Sequence, residues 1–124
     1  MIDHISIPVR DLRAAQGFYK KVLAPVGLTQ LVAREKTIGF GKKYPEFWLN
    51  ARPDMPGAAD DNGYHICLRV RTEKAVSRFH ALALEAGGRS AGDPGPRQAA
   101  MTEYFGAFIY DLDGNKIEAV CFPG

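Results

Sequence analysis

Cysteine is scarce in this chain of 124 residues: only Cys67 and Cys121 occur, far apart and without CxxC spacing. That pattern indicates neither a disulfide scaffold nor a zinc knuckle. No stretch approaches the ~18 uncharged apolar residues of a membrane helix. The strand-like pattern starts at Ile2, directly after Met1, with no signal-type hydrophobic region. A soluble, cytoplasmic protein is expected. An excess of one charge is missing too. The 16 Lys and Arg stand against 14 Asp and Glu, for a net +2, and no basic cluster is denser than Lys20-Lys21 or Lys42-Lys43. Neither nucleic acid nor a membrane is an expected partner. What the chain does have is 46% apolar residues, 13 glycines and 8 prolines. This suits one sizeable core in a turn-rich domain.

The chain repeats itself once. A shift of 61 residues lays positions 4–27 over 65–88 without a gap, and eight of the 24 pairs are identical: His4/His65, Ile5/Ile66, Val9/Val70, Arg10/Arg71, Ala14/Ala75, Phe18/Phe79, Leu23/Leu84 and Gly27/Gly88. Random composition would give about one or two. The period is too long and the copies too few for a solenoid, so a duplicated module within one domain is expected.

Each copy reads as a strand and then a helix. Ile5, Ile7 and Val9 alternate with His4, Ser6 and Pro8, and Ile66, Leu68 and Val70 alternate with His65, Cys67 and Arg69. Asp11 and Thr72 stand where helix caps belong. Leu12, Ala15, Tyr19, Val22 and Leu23 recur at helical spacing before Pro25 and Gly27; Val76, Phe79, Leu82, Ala83 and Ala86 do so before Gly87-Gly88. Short strands follow at 29–34, 37–41 and 46–51, then a poorly defined stretch after Arg89, then 104–110 and 116–122, with a hairpin turn at 111–115. The expected architecture is α+β, with two tandem βαβββ modules forming a curved mixed sheet around a concave cleft and helices outside. Module 1 covers about 1–52 and module 2 about 63–124. The segment 90–102, with Gly92, Pro94, Gly95 and Pro96, is expected to be an insertion or lid.

Chemistry is expected on the strand faces turned away from the helices. They carry His4 in the first module and His65, Cys67 and Arg69 in the second. If Ile117, Ala119 and Cys121 pack beneath the helices, Glu118 faces the same way as the histidines. Two imidazoles and one carboxylate form a facial set that suits Fe(II), Mn(II), Zn(II), Ni(II) or Co(II) and leaves positions open for water or substrate. Trp48 and Tyr104 are expected to line the substrate pocket with Cys67, a space-filling thiol, and Arg69, which needs a carboxylate such as Glu46 or an anionic substrate. Phe105 and Phe108 read as core. His80 carries no assigned role.

Asp3-His4-Ile5, Phe18-Tyr19 with Leu23 and Gly27, Tyr64-His65-Ile66 and the closing Asp111-Leu-Asp-Gly-Asn-Lys-Ile-Glu118 together resemble the vicinal oxygen chelate superfamily, which includes glyoxalase I, fosfomycin-resistance transferases, extradiol dioxygenases and bleomycin-resistance proteins. The match spans nearly the whole chain, with Leu112 in place of the usual proline. The resemblance implies a single glyoxalase-like domain over 1–124 and metal ligands from the first and last strand of each module. His4, His65 and Glu118 match three of these four positions. A shift of 70 puts Trp48, which cannot bind metal, at the fourth, opposite Glu118. The activity implied is that of an enzyme using a divalent metal to chelate vicinal oxygens of a small molecule, of lyase, isomerase, transferase or dioxygenase type, with lyase first and Glu118 as the catalytic carboxylate. The alternative is a non-catalytic, drug-sequestering protein. A homodimer is the expected assembly.

Overall fold

The computed structural model describes residues 1–59 and 61–123. The elements follow the expected βαβββ order twice. Module 1 holds β1 (Ile5–Val9), α1 (Leu12–Val22), β2 (Thr29–Ala33), β3 (Thr37–Gly41) and β4 (Pro45–Ala51). Module 2 holds β5 (Ile66–Arg69), α2 (Glu73–Glu85), β6 (Arg89–Gln98), β7 (Glu103–Tyr110) and β8 (Lys116–Cys121). Each module makes its own mixed four-stranded sheet, in the orders β1-β4-β3-β2 and β5-β8-β7-β6. In both, the first strand runs parallel to the last because the helix returns the chain across the sheet.

The helices start where the sequence supplies a side-chain acceptor. Asp11 Oδ1 accepts from the Ala14 amide at 3.1 Å and Thr72 Oγ1 accepts from the Ala75 amide at 3.0 Å. Each cap satisfies one of the amides that a helix start leaves open. Ala15, Phe18, Tyr19 and Val22 face the first sheet, and Val76, Phe79, His80 and Ala83 face the second. With Ile7, Val9, Phe47, Leu49, Ile109, Ile117 and Ala119, all of these but His80 join a single hydrophobic cluster shared by both modules. Full burial of a side chain such as Phe18 is worth roughly 1.5–3 kcal/mol.

The segment expected to be a lid is mostly an edge strand. β6 pairs antiparallel with β7 from Arg89 to Gln98, with irregular register between Ser90 and Gly92 and between Gly92 and Gly95. Pro94 and Pro96 are tolerated because the strand has one free edge and the bulges absorb the missing donors. His80 fastens this strand to α2, its Nε2 lying 2.9 Å from Ser90 Oγ, which donates to Asp93 Oδ1 at 2.9 Å.

The turn between β7 and β8 ties module 2 to module 1. Tyr19 donates its hydroxyl to Asp111 Oδ2 at 2.5 Å, the Arg10 amide and Nε donate to Asp113 Oδ1 at 2.9 and 3.0 Å, and Asn115 donates to the Pro8 carbonyl at 2.9 Å. Burial raises the Asp111 pKa, against the pull of its bonds from Tyr19, Asn115 and nearby amides. No helix among the described residues is long and apolar enough to cross a membrane.

Candidate active site

Alternation along each strand decides which side chains reach the face opposite the helices. On β8, Ile117, Ala119 and Cys121 enter the core and Glu118 points the other way. Phe108 on β7 and Cys67 on β5 are its register partners. Glu118 is only 3% exposed, yet both its oxygens are engaged: His65 Nε2 lies 3.0 Å from Oε1, and the Tyr104 hydroxyl donates to Oε2 at 3.1 Å. These contacts offset the cost of removing a carboxylate from water. Gly106 makes room for them. A Cβ there would stand 2.9 Å from Tyr104 Cε2 and 3.3 Å from Glu118 Oε2.

Around this pair the walls are aromatic. The His65 ring meets Phe108 edge-on at 5.3 Å, and Tyr104 lies 5.5 Å from Phe122. Phe108 therefore belongs to the site face and not to the core, because it shares parity with Tyr104 and Gly106, whereas Phe105 packs against the core. The signal was present in the sequence as Tyr104-x-Gly106-x-Phe108. Among the described residues Arg69 reaches no carboxylate; its guanidinium stacks over Phe122 at 4.6 Å. The Cys67 thiol is pushed up to about 12, first by desolvation and then by the neighbouring Glu118 carboxylate. At neutral pH it is a thiol, not a thiolate nucleophile.

His4 stands on the equivalent face of the other sheet. It is exposed, its Nδ1 2.7 Å from Asp3 Oδ2, and it borders a hollow with Ser6, Arg34 and Trp48. Trp48 pairs in register with Ser6 on β1 and carries Arg34 over its ring at 5.6 Å. A cleft of about 680 Å3 between the starts of β1 and β5 is lined by both His4 and His65, with Ile2, Tyr44, Glu46 and Cys67. All three expected ligands thus lie on faces turned from the helices. Among the described residues, however, no three His, Cys, Asp or Glu side chains come close enough to hold one metal ion. One chain brings His65, Glu118 and Tyr104 into contact; His4 shares the cleft with His65 but, among the described residues, forms no three-ligand cluster with His65 and Glu118, and Trp48 lines the hollow on the other sheet.

Solved structures share this fold over more than nine-tenths of their length. A glyoxalase/bleomycin resistance protein from Albidiferax ferrireducens T118 is 26% identical, with a TM-score of 0.85 over 96% of this chain and 97% of that one. A glyoxalase/dioxygenase from Nostoc punctiforme is 22% identical, with a TM-score of 0.74 over 100% and 92%. The fosfomycin resistance protein FosX from Mesorhizobium loti is 15% identical, with a TM-score of 0.70 over 99% and 92%. No curated protein matches the chain. The model of the Glyoxalase/Bleomycin resistance protein/Dioxygenase superfamily matches residues 1–119, and the chain belongs to that superfamily.

Proposed function

We propose that this chain is a divalent-metal enzyme acting on a small molecule with two neighbouring oxygens. It works as a cytoplasmic homodimer of single-domain chains, each site combining His65 and Glu118 of one copy with His4 of the other. The observation that carries this reading is the buried Glu118 carboxylate, held between His65 and Tyr104 on an open sheet face. The donor chemistry fits a divalent ion: an imidazole nitrogen and a carboxylate oxygen already face one another, and Gly106 leaves the space beside them. The third nitrogen, that of His4, stands on the corresponding face of module 1 and, although His4 lines a cleft with His65, no three-ligand cluster exists among the described residues of one chain; a second copy completes the set.

When bound, the ion supplies Lewis acidity to the substrate oxygens. The chain's own residues do the rest. Glu118 takes and returns the substrate proton, in the lyase-type reading, while Tyr104 holds its second oxygen and fixes its orientation. Phe108, together with the Trp48 that the second copy brings with its His4, keeps water from the substrate's apolar part. Cys67, being protonated, lends Glu118 a weak donor and no negative charge.

Elemental analysis of protein purified without added metal tests this. About one ion per chain is expected, lost in His65→Ala and Glu118→Ala. Full metal content in those variants would refute the site. Trp48 at the position equivalent to Glu118 favours a second reading, sequestration of an apolar ligand without turnover; ligand binding that survives chelator would support it.

A further inference from the structure

The two halves of the molecule are built alike at one corner and filled differently there. In the first half, β1 leads through Arg10 into α1, and the β7–β8 turn of the other module supplies a counter-charge. The Asp113 carboxylate accepts from both the backbone amide and the Nε of Arg10, at 2.9 and 3.0 Å. The hollow left at that corner, bordered by Arg10, Asp111 and Asp113, is about 260 Å3.

The repeat puts Arg71 where Arg10 stands, at the start of α2. The turn facing it joins β3 and β4, and the 70-residue shift that sets Trp48 against Glu118 also sets Lys43 against Asp113 and Lys42 against Leu112. Lysine stands at the position aligned with the carboxylate, and it is the neighbouring Lys42, not Lys43, that lines the corner. The corner opens into a cavity of about 430 Å3 lined by Lys42, Arg69, Arg71, Thr72, Val26 and Ala75 among others, with no acidic residue in its wall. Lys42 passes over Gly27, its Cε 3.7 Å from where a Cβ would stand. Glu73 borders the adjoining hollow, beside Phe105 and Phe122, and makes no ion pair with Arg71.

Donors outnumber acceptors here, for the carboxylates of Glu73 and Glu103 line only the adjoining hollow, which Arg71 also borders. Among the described residues neither Lys42 nor Arg71 has an ion pair or a side-chain hydrogen bond, and Arg69 stacks on Phe122 and lies near the Cys67 thiol without an ion pair. Among the described residues the Arg71 amide, whose counterpart in Arg10 binds Asp113, has no partner. Thr72 caps the Ala75 amide and leaves those of Glu73 and Lys74 open at the positive end of a 13-residue helix. Three cations in one concave corner repel one another unless an anion sits between them.

We propose that this corner is a binding site for the phosphate group of a small molecule, which takes the place that the Asp113 carboxylate fills in the first half. One guanidinium there is matched by one carboxylate; three cations and the open amides here suit a doubly charged group. The site is distinct from the His65–Glu118 centre and does not depend on metal.

Calorimetric titration of the full chain with inorganic phosphate, at constant ionic strength and with chelator present, tests the assignment; acetate serves as the carboxylate arm. One phosphate per chain is expected, bound more tightly than acetate. Affinity should fall about tenfold in Arg71→Ala. It should be lost in Lys42→Glu, which puts a negative charge into the cavity wall, and kept in Lys43→Ala, outside that wall. Melting curves confirm that these exposed substitutions leave the fold intact. Phosphate binding equal in wild type, Arg71→Ala and Lys42→Glu would overturn the proposal, as would acetate binding as tightly as phosphate or the absence of saturable phosphate uptake.

Discussion

Mixing two inactive variants separates a site shared between copies from one contained in a single chain. His4→Ala removes the imidazole from module 1, and Glu118→Ala removes the carboxylate from module 2. His4 is an exposed side chain, so its loss changes stability by no more than about 0.5 kcal/mol. Removing Glu118 frees His65, itself half-exposed, and the Tyr104 hydroxyl, so no charge is left buried. Both variants should therefore fold and both should lack metal. Unfolded together in urea and refolded as an equal mixture, half of the dimers pair one chain of each kind. Such a dimer has one site with both lesions and one site with neither. About one quarter of the wild-type metal content should return. Elemental analysis after size exclusion reads the recovery, and differently tagged chains verify that mixed dimers have formed. No recovery in verified mixed dimers would refute completion by a second copy, and full metal content in His4→Ala alone would remove His4 from the ligand set.

Tyr104→Phe deletes the bond to Glu118 Oε2 while keeping the ring against Phe122; metal affinity should fall at least about tenfold, measured by competition with a chromogenic chelator. Tyr19→Phe leaves the buried Asp111 short of a donor and should cost roughly 1–3 kcal/mol in urea unfolding; an unchanged midpoint would mean the clamp between the modules contributes nothing. Burial lowers the His80 pKa below its usual 6.5, with Asp93 opposing the shift. The unfolded chain then takes up that proton first, so stability present above pH 6.5 is lost as pH falls through the folded value. The melting temperature should drop between about pH 7.5 and about pH 5.5, with a flatter slope in His80→Gln; identical slopes would remove His80 as the cause.

Local patterns were enough for the elements of this fold. Alternation in Ile5–Val9 and Ile66–Val70, the caps at Asp11 and Thr72 and the turn at 111–115 are short-range effects, and the 61-residue repeat exposed the duplication without any coordinates. The same alternation gave the facing of His4, His65 and Glu118, because a strand residue's side is settled by parity alone. Parity was misjudged for Phe108, whose apolar ring suggested core. The Gly and Pro residues in 90–102 suggested an insertion or lid, whereas 89–98 is an edge strand, which tolerates residues that a central strand rejects. What only the tertiary structure decided is which faces meet. Residues brought together across modules, such as Arg10 with Asp113 or Lys42 with Arg71, and residues kept apart, such as His4 from Glu118, depend on how two packed sheets share one core, and no periodicity within a strand encodes that distance.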